Sequence, residues 1–493
     1  MTISLSQSSL ASLSASVTTP AYDRTKLRAG ILHIGVGNFH RAHQAVYLHR
    51  LFERGVDHDW ALVGAGVRPA DTVMRDRLRP QDWLYTVTEL DPSRLSASVI
   101  GAMIDFVDVD AGQVIARAAD PAIRIVSLTI TEGGYFIDAK TGAFDAAHGE
   151  IQADLGATVP HSVFGILVDA LSRRFERGIP PFTVMSCDNL PENGHAARRA
   201  TVGFARLKNR TLAARIEAEV AFPNGMVDCI TPATTDERRT MVAETFGVSD
   251  AAPVVCEPFR QWVLEDHFPA GRPRLEDVGV QFVDSVAPYE LMKLRILNGG
   301  HAAIAYSGAL LGHTYAYEAM ADPDIAAWLE ALVTREVIPT LGTIDGVSYD
   351  AYLALVAARF ANARVADTIA RLCLDGSNRQ PKFILPTIAD ALASGRSISG
   401  LALEVALWCR YCAGPDENGQ PTILEDDRAA TLHDRALAAR HNPAAFLGLH
   451  EVFGALARHS AFVAAVSGAL TRLYATGTRA TLRNYISTVH DLA

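Results

Sequence analysis

Short apolar runs alternate with helix-length segments over about the first 280 residues of the chain, a pattern that predicts a parallel α/β sheet. The run IRIVSLTIT at 123–131 is rich in β-branched residues and predicts a central strand that is buried on both faces. One helix is predicted over 38–54, directly after the first strand. The predicted strands are 31–35, 60–66, 123–131, 182–186, 226–230 and 279–283.

From Pro288 onward the strand-like runs are replaced by amphipathic, helix-length segments that are rich in Ala, Leu and Arg. A chain of 493 residues is also long enough for two or three domains. We therefore expect an α/β domain over 1–285 and a mainly α-helical domain over 286–493. The clearest helical segments are 324–338, 348–363, 427–442 and 460–475.

The segment 291–304 predicts a helix that is apolar on almost every side and yet contains Lys293, Asn298 and His301. Such a helix is normally buried, and polar side chains inside it are costly unless they are paired. At about 100° per residue, these three residues and Glu290 fall within one arc of roughly 140°. We interpret the arc as one wall of a catalytic pocket. A buried salt bridge between Lys293 and Glu290 is the alternative.

Two pairs of glycines add to this picture. Gly299 and Gly300 lie inside the predicted helix, where each costs about 1 kcal/mol relative to alanine, so a close backbone approach is expected there. Gly35 and Gly37 follow the first predicted strand and form a G-x-G-x-x-H variant of the dinucleotide-binding turn. In such a turn the backbone approaches a pyrophosphate at a helix N-terminus.

The turn predicts a Rossmann-like domain that binds a dinucleotide, with a purely structural turn as the alternative. Arg41 is placed to add a charge-assisted contact to a phosphate. The residues assigned to the cofactor here are Gly35, Val36, Gly37, Asn38, Phe39 and Arg41.

Asp71 follows the second predicted strand, where an acidic group hydrogen-bonds the adenosine ribose and repels a 2′-phosphate. The alternative for Asp71 is an acid at a helix N-terminus. Arg68 lies nearby and could accept a 2′-phosphate. NAD is therefore the expected cofactor, with NADP as a weaker possibility.

Polar residues also follow three further predicted strands: Glu132 with Gly133, Asn189 within 187–194, and Asp228. Ligands of open α/β sheets bind outside the carboxyl ends of the strands, so these residues predict one rim of a site. We assign Glu132 and Gly133 to the cofactor. Turn chemistry or helix capping is the alternative for each residue taken alone.

The net charge of −10 argues against a nucleic-acid or anionic-membrane partner, and no apolar stretch reaches the 18 residues of a membrane span. The first 23 residues hold no basic residue, unlike a signal or transit peptide. Cys409 and Cys412 form a C-x-x-C without a second pair, which favours core thiols over a zinc or redox site. These features predict a cytoplasmic protein without a metal.

Taken together, the motifs resemble those of the polyol-specific long-chain dehydrogenases, most closely the members that act on mannitol. The resemblance covers essentially the whole chain. The motifs that carry it are HIGVGNFHRAHQAVYL (33–48), RIVSLTITEGGY (124–135), FTVMSCDNLPENG (182–194), FPNGMVDCITP (222–232), VVCEPFRQWVLEDHF (254–268), MKLRILNGGH (292–301) and DGSNRQPKF (375–383).

The resemblance implies a metal-independent, NAD-dependent oxidation of a polyol, with mannitol and fructose as the expected pair, and a role for each matching residue. The chain departs from common family residues at Ala70, Cys229 and Arg295. The implied roles are Lys293 as general base, Asn298 and Asn189 as donors to the reacting oxygen, His301 in orienting the substrate, Asp228 in contacting a polyol hydroxyl, Arg371 and Arg379 as basic substrate-side groups, Glu290 as proton relay and Asp71 as ribose reader.

A lysine base must be neutral, so its ordinary pKa of about 10.4 would have to be lowered by burial or by neighbouring cations. Arg295, Arg371 and the charge of the nicotinamide are the candidates. Other readings remain open: a relative acting on arabinitol, sorbitol or a uronate, an inactive nucleotide-binding module, or a methyltransferase with a similar glycine turn. We expect a monomer or a weak homo-oligomer.

Overall fold

The computed structural model describes residues 2–138 and 141–488. The chain divides into two compact units, residues 1–287 and 288–493. The predicted boundary near residue 285 lies close to this division.

The first unit holds the strands of the described chain. In order they are β1 Ile3–Ser4, β2 Val17–Thr18, β3 Ala29–Ile34, β4 Ala61–Ala65, β5 Tyr85–Leu90, β6 Leu95–Ile100, β7 Met103–Phe106, β8 Ile125–Leu128, β9 Thr183–Ser186, β10 Gly225–Asp228, β11 Val248–Ser249, β12 Val254–Cys256, β13 Gln261–Glu265 and β14 Gln281–Val283.

Helices connect these strands. The α-helices of the first unit are α1 Asn38–Ala42, α2 Gln44–Glu53, α3 Thr72–Leu78, α4 Ala111–Ala118, α5 Gly149–Gly156, α6 Val163–Glu176, α7 Asn193–Lys208, α8 Arg210–Glu219 and α9 Asp236–Phe246. Short 3₁₀ helices cover Gln7–Ser12, Arg24–Lys26, Pro69–Asp71, Arg79–Gln81, Glu132–Tyr135 and Leu275–Val278.

The main sheet is parallel throughout, with the strand order β7-β4-β3-β8-β9. The strand order reverses at β3, because β4 pairs with one of its edges and β8 with the other. The turn that leaves β3 therefore lies at a topological switch point, where open α/β sheets bind their ligands.

Both faces of this sheet are covered by apolar side chains, as expected of a parallel sheet. One face packs against α4, α6 and α7 through residues such as Val114, Leu167 and Phe204. The other face packs against α2 and β13 through Leu51 and Trp262. Burial on both sides explains the near-continuous apolar runs that identify these strands in the sequence.

Three local predictions differ from the structure. The helix predicted over 38–54 is broken at His43, whose backbone leaves the helical region at φ −118° and ψ −88°. The strand predicted over 123–131 ends at Leu128, and its continuation turns at Thr131, which has a φ of 65°. The strand β10 lies outside the parallel sheet and pairs antiparallel with β13.

The sequence analysis did not predict the antiparallel pair β5 and β6. These strands form a second sheet with the order β12-β5-β6-β2. A third sheet has the order β10-β13-β14, and β1 pairs with β11. Both strands alternate between apolar and polar residues, YTVT at 85–88 and LSASV at 95–99, so the signal was present in the sequence and the prediction overlooked it.

The second unit is helical over its described residues. Its α-helices are α10 Ala287–Met292, α11 Gly299–Leu310, α12 Ala316–Ala321, α13 Pro323–Leu332, α14 Tyr349–Phe360, α15 Ile369–Cys373, α16 Gly376–Phe383, α17 Leu385–Ala393, α18 Ser399–Ala413, α19 Ala429–Ala439, α20 Ala444–Leu447, α21 His450–Phe453, α22 Ser460–Thr476 and α23 Thr478–Thr488. Two π-helical segments cover Lys293–Asn298 and Val333–Val337, and 3₁₀ helices cover Ile338–Thr340 and Gly454–Arg458.

The helix α18 is buried along almost its whole length. Its N-terminus is capped by Glu336, whose carboxylate accepts hydrogen bonds from the backbone of Gly400 at 2.8 and 2.9 Å and of Leu401 at 2.9 Å. The Tyr485 hydroxyl donates to the same carboxylate at 3.2 Å. A buried acid is favourable here because the helix N-terminus carries partial positive charge and donors that need partners.

Within the described residues, no single helix is long and apolar enough to cross a membrane. The segments His450–Arg458 and Ser460–Thr476, which are bent at 112° to each other, pass the test of length and composition as a pair.

Burial raises the pKa of Glu404 in α18 to about 8, although the Gln380 side chain donates to its carboxylate at 2.8 and 3.0 Å and thereby opposes the shift. The Oε1 atom of Gln380 is buried without a hydrogen-bond partner, and a protonated Glu404 could donate to it. Glu404 is therefore neutral at pH 7 in the folded chain.

We predict that Glu404→Gln removes a loss of stability that the wild type shows as pH rises from about 4.5 to about 8. Over that range the unfolded carboxyl is ionised and the folded one is protonated, so stability falls by up to about 5 kcal/mol. Urea unfolding at several pH values measures the slope. Glu451→Gln, at an exposed position in α21, is the control, and an equal slope in wild type and Glu404→Gln would contradict the prediction.

Candidate active site

The glycine-rich turn leaves β3 at the switch point of the sheet. Gly35 has a φ of 97°, and a Cβ atom there would collide with the carbonyl oxygen of Thr129. Both observations require glycine, as the sequence predicts for the tight turn. Gly37 is exposed and is the N-cap of α1, and the nearest atom to an added Cβ would be the Gly35 oxygen at 3.9 Å. The space beside Gly37 is therefore open.

A stacked pair of histidines, His33 and His40, underlies this turn. Their ring centroids lie 3.3 Å apart with an interplanar angle of 11°. The His33 Nε2 atom donates to the Gly35 oxygen at 3.1 Å, and its Nδ1 atom accepts from the Ser127 hydroxyl at 2.8 Å. Burial lowers the pKa of His33 to about 3, so the ring is neutral at pH 7. The third motif position thus holds a packed imidazole where the usual motif has glycine.

Arg41 joins the glycine turn to the segment before β12. The side chain is 1% exposed, and its guanidinium donates to the Ala252 oxygen and, at 2.6 Å, to Asn38 Oδ1. The Tyr85 hydroxyl donates to the Arg41 carbonyl oxygen at 3.0 Å. These contacts use the terminal nitrogens of Arg41, and its contact to a phosphate stays a prediction.

Asp71 lies at the carboxyl end of β4, next to the glycine turn in strand order. Its Oδ2 atom accepts hydrogen bonds from the backbone of Val67 and Arg68, each at 2.9 Å. Asp71 is also the N-cap residue of α3, but its side chain makes no capping hydrogen bond there. The carboxylate is thereby fixed beside the strand end at which a ribose would be read.

Asp188 organises the strand-end loop that carries Glu132 and Gly133. Its carboxylate accepts from the backbone of Ile130 at 3.0 Å and of Thr131 at 2.8 Å, and from the Tyr135 hydroxyl at 2.7 Å. Burial raises the pKa of Asp188, which opposes the effect of these three donors. The sequence analysis did not single out Asp188, although its position directly after the strand FTVMS was a signal.

Asn193 ties the loop of Asn189 to the strand that ends in Asp228. The Asn193 side chain donates to the carbonyl oxygens of Asp188 at 3.0 Å and of Gly225 at 2.7 Å, and accepts from the Gly225 backbone at 2.9 Å. Asn189 is exposed at the end of β9, whereas Asp228 is 6% exposed at the end of β10. Within this unit, Asn193 thus joins the loop after β9, which carries Asn189, to the start of the strand that ends in Asp228.

The helix of Lys293 is not a continuous α-helix, contrary to the prediction. A π-helical segment, Lys293–Asn298, joins α10 to α11, and the Gly299 backbone donates to the Leu294 oxygen five residues earlier. In an α-helix, side chains five positions apart, such as those of Lys293 and Asn298, point in directions about 140° apart, but this angle does not apply to a π-helical segment. The wider turn of a π-helix places Lys293 and Asn298 close to one line along the helix.

About one helical turn separates each residue of this set from the next: Glu290, Lys293, Asn298 and His301. The step from Lys293 to Asn298 is a π-helical turn, and the steps before and after it are α-helical turns. Lys293 is 6% exposed, whereas Glu290, Asn298 and His301 are partly exposed. The His301 ring stacks on Phe360 with centroids 4.2 Å apart. A Cβ on Gly300 would come within 3.4 Å of Leu329 and Phe360, which explains that glycine by close packing.

The three arginines that the sequence analysis singled out in the second unit are engaged with protein groups. Arg295 donates to the Thr340 hydroxyl at 2.7 Å and pairs with Asp390. Arg371 pairs with Asp367, which raises the pKa of Arg371, and Arg379 donates to the Leu372 oxygen at 3.0 Å. Acidic partners therefore compensate Arg295 and Arg371, which weakens the hypothesis that these cations lower the pKa of a lysine base.

The search for a metal site gives no candidate within the described residues, where no group of three or more His, Cys, Asp or Glu could hold an ion. The six cysteines are free and buried, including Cys409 and Cys412. The interpretation of this C-x-x-C pair as core thiols agrees with their burial in α18.

Comparison with known proteins identifies the family. The Mannitol dehydrogenase Rossmann domain matches residues 29–277, and the Mannitol dehydrogenase C-terminal domain matches residues 285–474. Mannitol 2-dehydrogenase of Cereibacter sphaeroides is 52% identical over 96% of this chain and 100% of its own length. Mannitol 2-dehydrogenase of Phaeosphaeria nodorum is 43% identical over 98% of this chain and 86% of its own length.

Two solved structures share the fold over nearly the whole chain. The Pseudomonas fluorescens mannitol 2-dehydrogenase ternary complex with NAD and D-mannitol has a TM-score of 0.85 and 43% identity, covering 98% of this chain and 99% of that one. A D-sorbitol dehydrogenase in substrate-free form has a TM-score of 0.90 and 37% identity, covering 97% and 100%. The chain therefore belongs to the mannitol dehydrogenase family, which confirms the resemblance and the predicted fold class.

We predict that Asp71→Ser raises kcat/KM with NADP relative to NAD, because it removes a carboxylate that would repel a 2′-phosphate. Absolute activity with NAD should also fall, since Asp71 holds the backbone of Val67 and Arg68. Initial rates with both cofactors measure the ratio. Asp76→Ser, at an exposed acid of α3, is the matched control, and an unchanged ratio in Asp71→Ser would assign ribose reading to another residue.

Proposed function

We propose that the protein is an NAD-dependent dehydrogenase that oxidises D-mannitol to D-fructose and catalyses the reverse reduction, with Lys293 as the general base. Its homologues are named mannitol 2-dehydrogenase, and one structural relative holds NAD and D-mannitol. The observation that carries the catalytic part is the π-helical turn, which has the buried Lys293 at its first position and Asn298 at its last. π-Helical turns occur frequently at functional sites.

The residues of the first unit fit a dinucleotide. The Gly35 turn lies at the switch point of the sheet, the space beside Gly37 is open, and the Asp71 carboxylate is fixed at the end of β4. Gly133 also has no atom within 4 Å of an added Cβ, so the backbone of this loop is accessible. When bound, NAD supplies the acceptor for the hydride that leaves the carbinol carbon.

The proposed chemistry of the protein begins with the hydroxyl proton of the substrate. Lys293 Nζ accepts that proton, and burial favours the neutral amine that this step requires. Asn298 and Asn189 donate hydrogen bonds to the developing alkoxide, an effect worth about 3 kcal/mol per donor. His301, whose ring is fixed by Phe360, orients the substrate, and Asp228 accepts from a polyol hydroxyl. Glu290 passes the proton onward from Lys293.

The pairing of Arg371 favours a neutral polyol over a uronate as substrate. A uronate carboxylate needs a cation that is not already compensated. The Arg371 guanidinium pairs with Asp367, whereas Arg379 donates to a helix carbonyl, which does not neutralise its charge. The Lys293 helix argues against a methyltransferase, which has no use for a buried lysine base. We further propose a cytoplasmic location and a monomer or weak homo-oligomer.

We expect a panel of polyols and ketoses to give the highest kcat/KM with mannitol and fructose, and little turnover with fructuronate. The distinction from sorbitol and arabinitol matters most, because a D-sorbitol dehydrogenase shares the fold at a TM-score of 0.90. Absorbance of the reduced nicotinamide with NAD and NADP in parallel gives the comparison. A clear preference for sorbitol or a uronate would replace mannitol in the proposal.

Lys293→Ala is expected to lower kcat by roughly 10²–10⁴-fold, the range for loss of a general base. Binding of NADH, measured by fluorescence titration, should change little because Lys293 belongs to the second unit and not to the Rossmann domain. The control is Lys26→Ala, at a lysine whose side chain is 72% exposed. Activity of Lys293→Ala within tenfold of wild type would remove Lys293 from its role.

A further inference from the structure

Two cysteines outside the proposed catalytic set, Cys229 and Cys256, face each other at neighbouring strand ends of the first unit. Cys229 directly follows β10, and Cys256 ends β12. The next residues along both segments are joined, because the Glu257 backbone donates to the Ile230 oxygen at 2.9 Å and the Ile230 backbone donates to Glu257 Oε1 at 2.5 Å. Each thiol is the largest single influence on the pKa of the other.

A buried guanidinium contacts one of these thiols. Arg260 Nη2 lies 3.1 Å from Cys256 Sγ, and the rest of the guanidinium is fixed by the Ala42 oxygen at 2.6 Å and Glu89 Oε1 at 2.5 Å. The neighbouring Cys229 thiol and the charge of Arg260 lower the pKa of the Cys256 thiol, against burial, which raises it. The pKa of Cys229 is raised. A thiol of lowered pKa beside a cation and a second thiol is the arrangement of a reactive cysteine with a resolving partner, and the burial of both sulfurs restricts the oxidant to a small molecule.

We propose that Cys229 and Cys256 form a redox site that closes reversibly to a disulfide when a hydroperoxide oxidises Cys256, and that closure lowers turnover. Formation of the disulfide is argued from the geometry of the first unit alone. The loss of turnover rests on the proposed function, because Asp228, to which we assign a contact with a polyol hydroxyl, directly precedes Cys229.

The chemistry balances with the hydroperoxide as oxidant. The Cys256 thiolate attacks the terminal peroxide oxygen, the O–O bond breaks, and Cys256 becomes a sulfenic acid while the leaving oxygen takes a proton and departs as water or an alcohol. The Cys229 sulfur then attacks the sulfenic sulfur, its proton leaves with the hydroxyl as water, and the S–S bond forms. Two thiols lose two hydrogens in total, and the peroxide is reduced.

Closure would act on the substrate side through the backbone. A disulfide requires sulfur atoms about 2.05 Å apart, much closer than two unbonded thiols, so closure draws Cys229 toward β12 and Asp228 with it. The contact of Arg260 with a free Cys256 thiol is also lost, so this guanidinium keeps Glu89 and Ala42 as partners.

The test oxidises the purified wild-type protein with hydrogen peroxide, alkylates the remaining thiols and maps disulfides by mass spectrometry without reduction. The expected product is a cross-linked peptide pair that contains Cys229 and Cys256, with kcat/KM for the polyol lowered about tenfold or more. Dithiothreitol should restore both thiols and the activity. The peptide readout needs no substrate, so it is independent of the proposed function.

Cys409 and Cys412 are the internal control, because they lie one helical turn apart while burial raises the pKa of both thiols. They should stay reduced under the same treatment. Cys229→Ala should retain basal turnover and lose the part of the inhibition that dithiothreitol reverses. Reduced Cys229 and Cys256 after treatment, or Cys256 oxidised to a sulfinic acid without a cross-link, would overturn the redox site. A cross-link without loss of turnover would overturn its regulatory half.

Discussion

Most of the polar groups that this fold buries find hydrogen-bond partners in the interior, and this constraint shapes the candidate site. Asp188 is satisfied by two backbone N–H groups and the Tyr135 hydroxyl, and in return it fixes the loop of Glu132. The terminal nitrogens of Arg41 donate to Ala252 and Asn38, although its Nε atom has no partner, and these contacts fix the glycine turn. Buried polar groups left without partners would cost about 1–3 kcal/mol each. Positioning and stability therefore come from the same contacts.

The same constraint gives meaning to the helix of Lys293. A lysine with 6% exposure inside an apolar helix needs a polar partner to remain an ammonium ion, and the charges of Arg295 and Arg371 in the same unit are compensated by Asp390 and Asp367. For the proposed role of Lys293 as base, burial of the amine is then the physical cause that favours the neutral form. The π-helical turn adds one residue to the helix and aligns Lys293 with Asn298.

Much of the fold was predictable because buried parallel strands read as apolar runs: β4, β8 and β9 lie within the predicted segments, and β3 overlaps its segment but begins two residues earlier. The hairpin β5–β6 was overlooked although its residues alternate between apolar and polar types. The family and its fold class followed from the joint motifs. What the sequence could not reveal depends on three-dimensional partners: the break at His43, the π-helical turn, and the use of Arg41.

The candidate site shows the same division. Residue types and strand ends were enough to select Asp71, Asn189, Asp228 and Lys293. Asp188 was missed because its importance lies in which backbone groups it reaches, and a single sequence does not record these contacts. The functional roles of the selected residues remain predictions.

The stacked imidazoles of His33 and His40 have a consequence for how this sequence can change over generations. At a centroid distance of 3.3 Å, neither ring can be exchanged for a larger or charged side chain unless the other adjusts. Residues in such contact are energetically non-additive. Substitution by the commoner glycine at position 40 would leave a gap against His33. We therefore expect the two positions to change together in evolution, because a single substitution at either one is unfavourable.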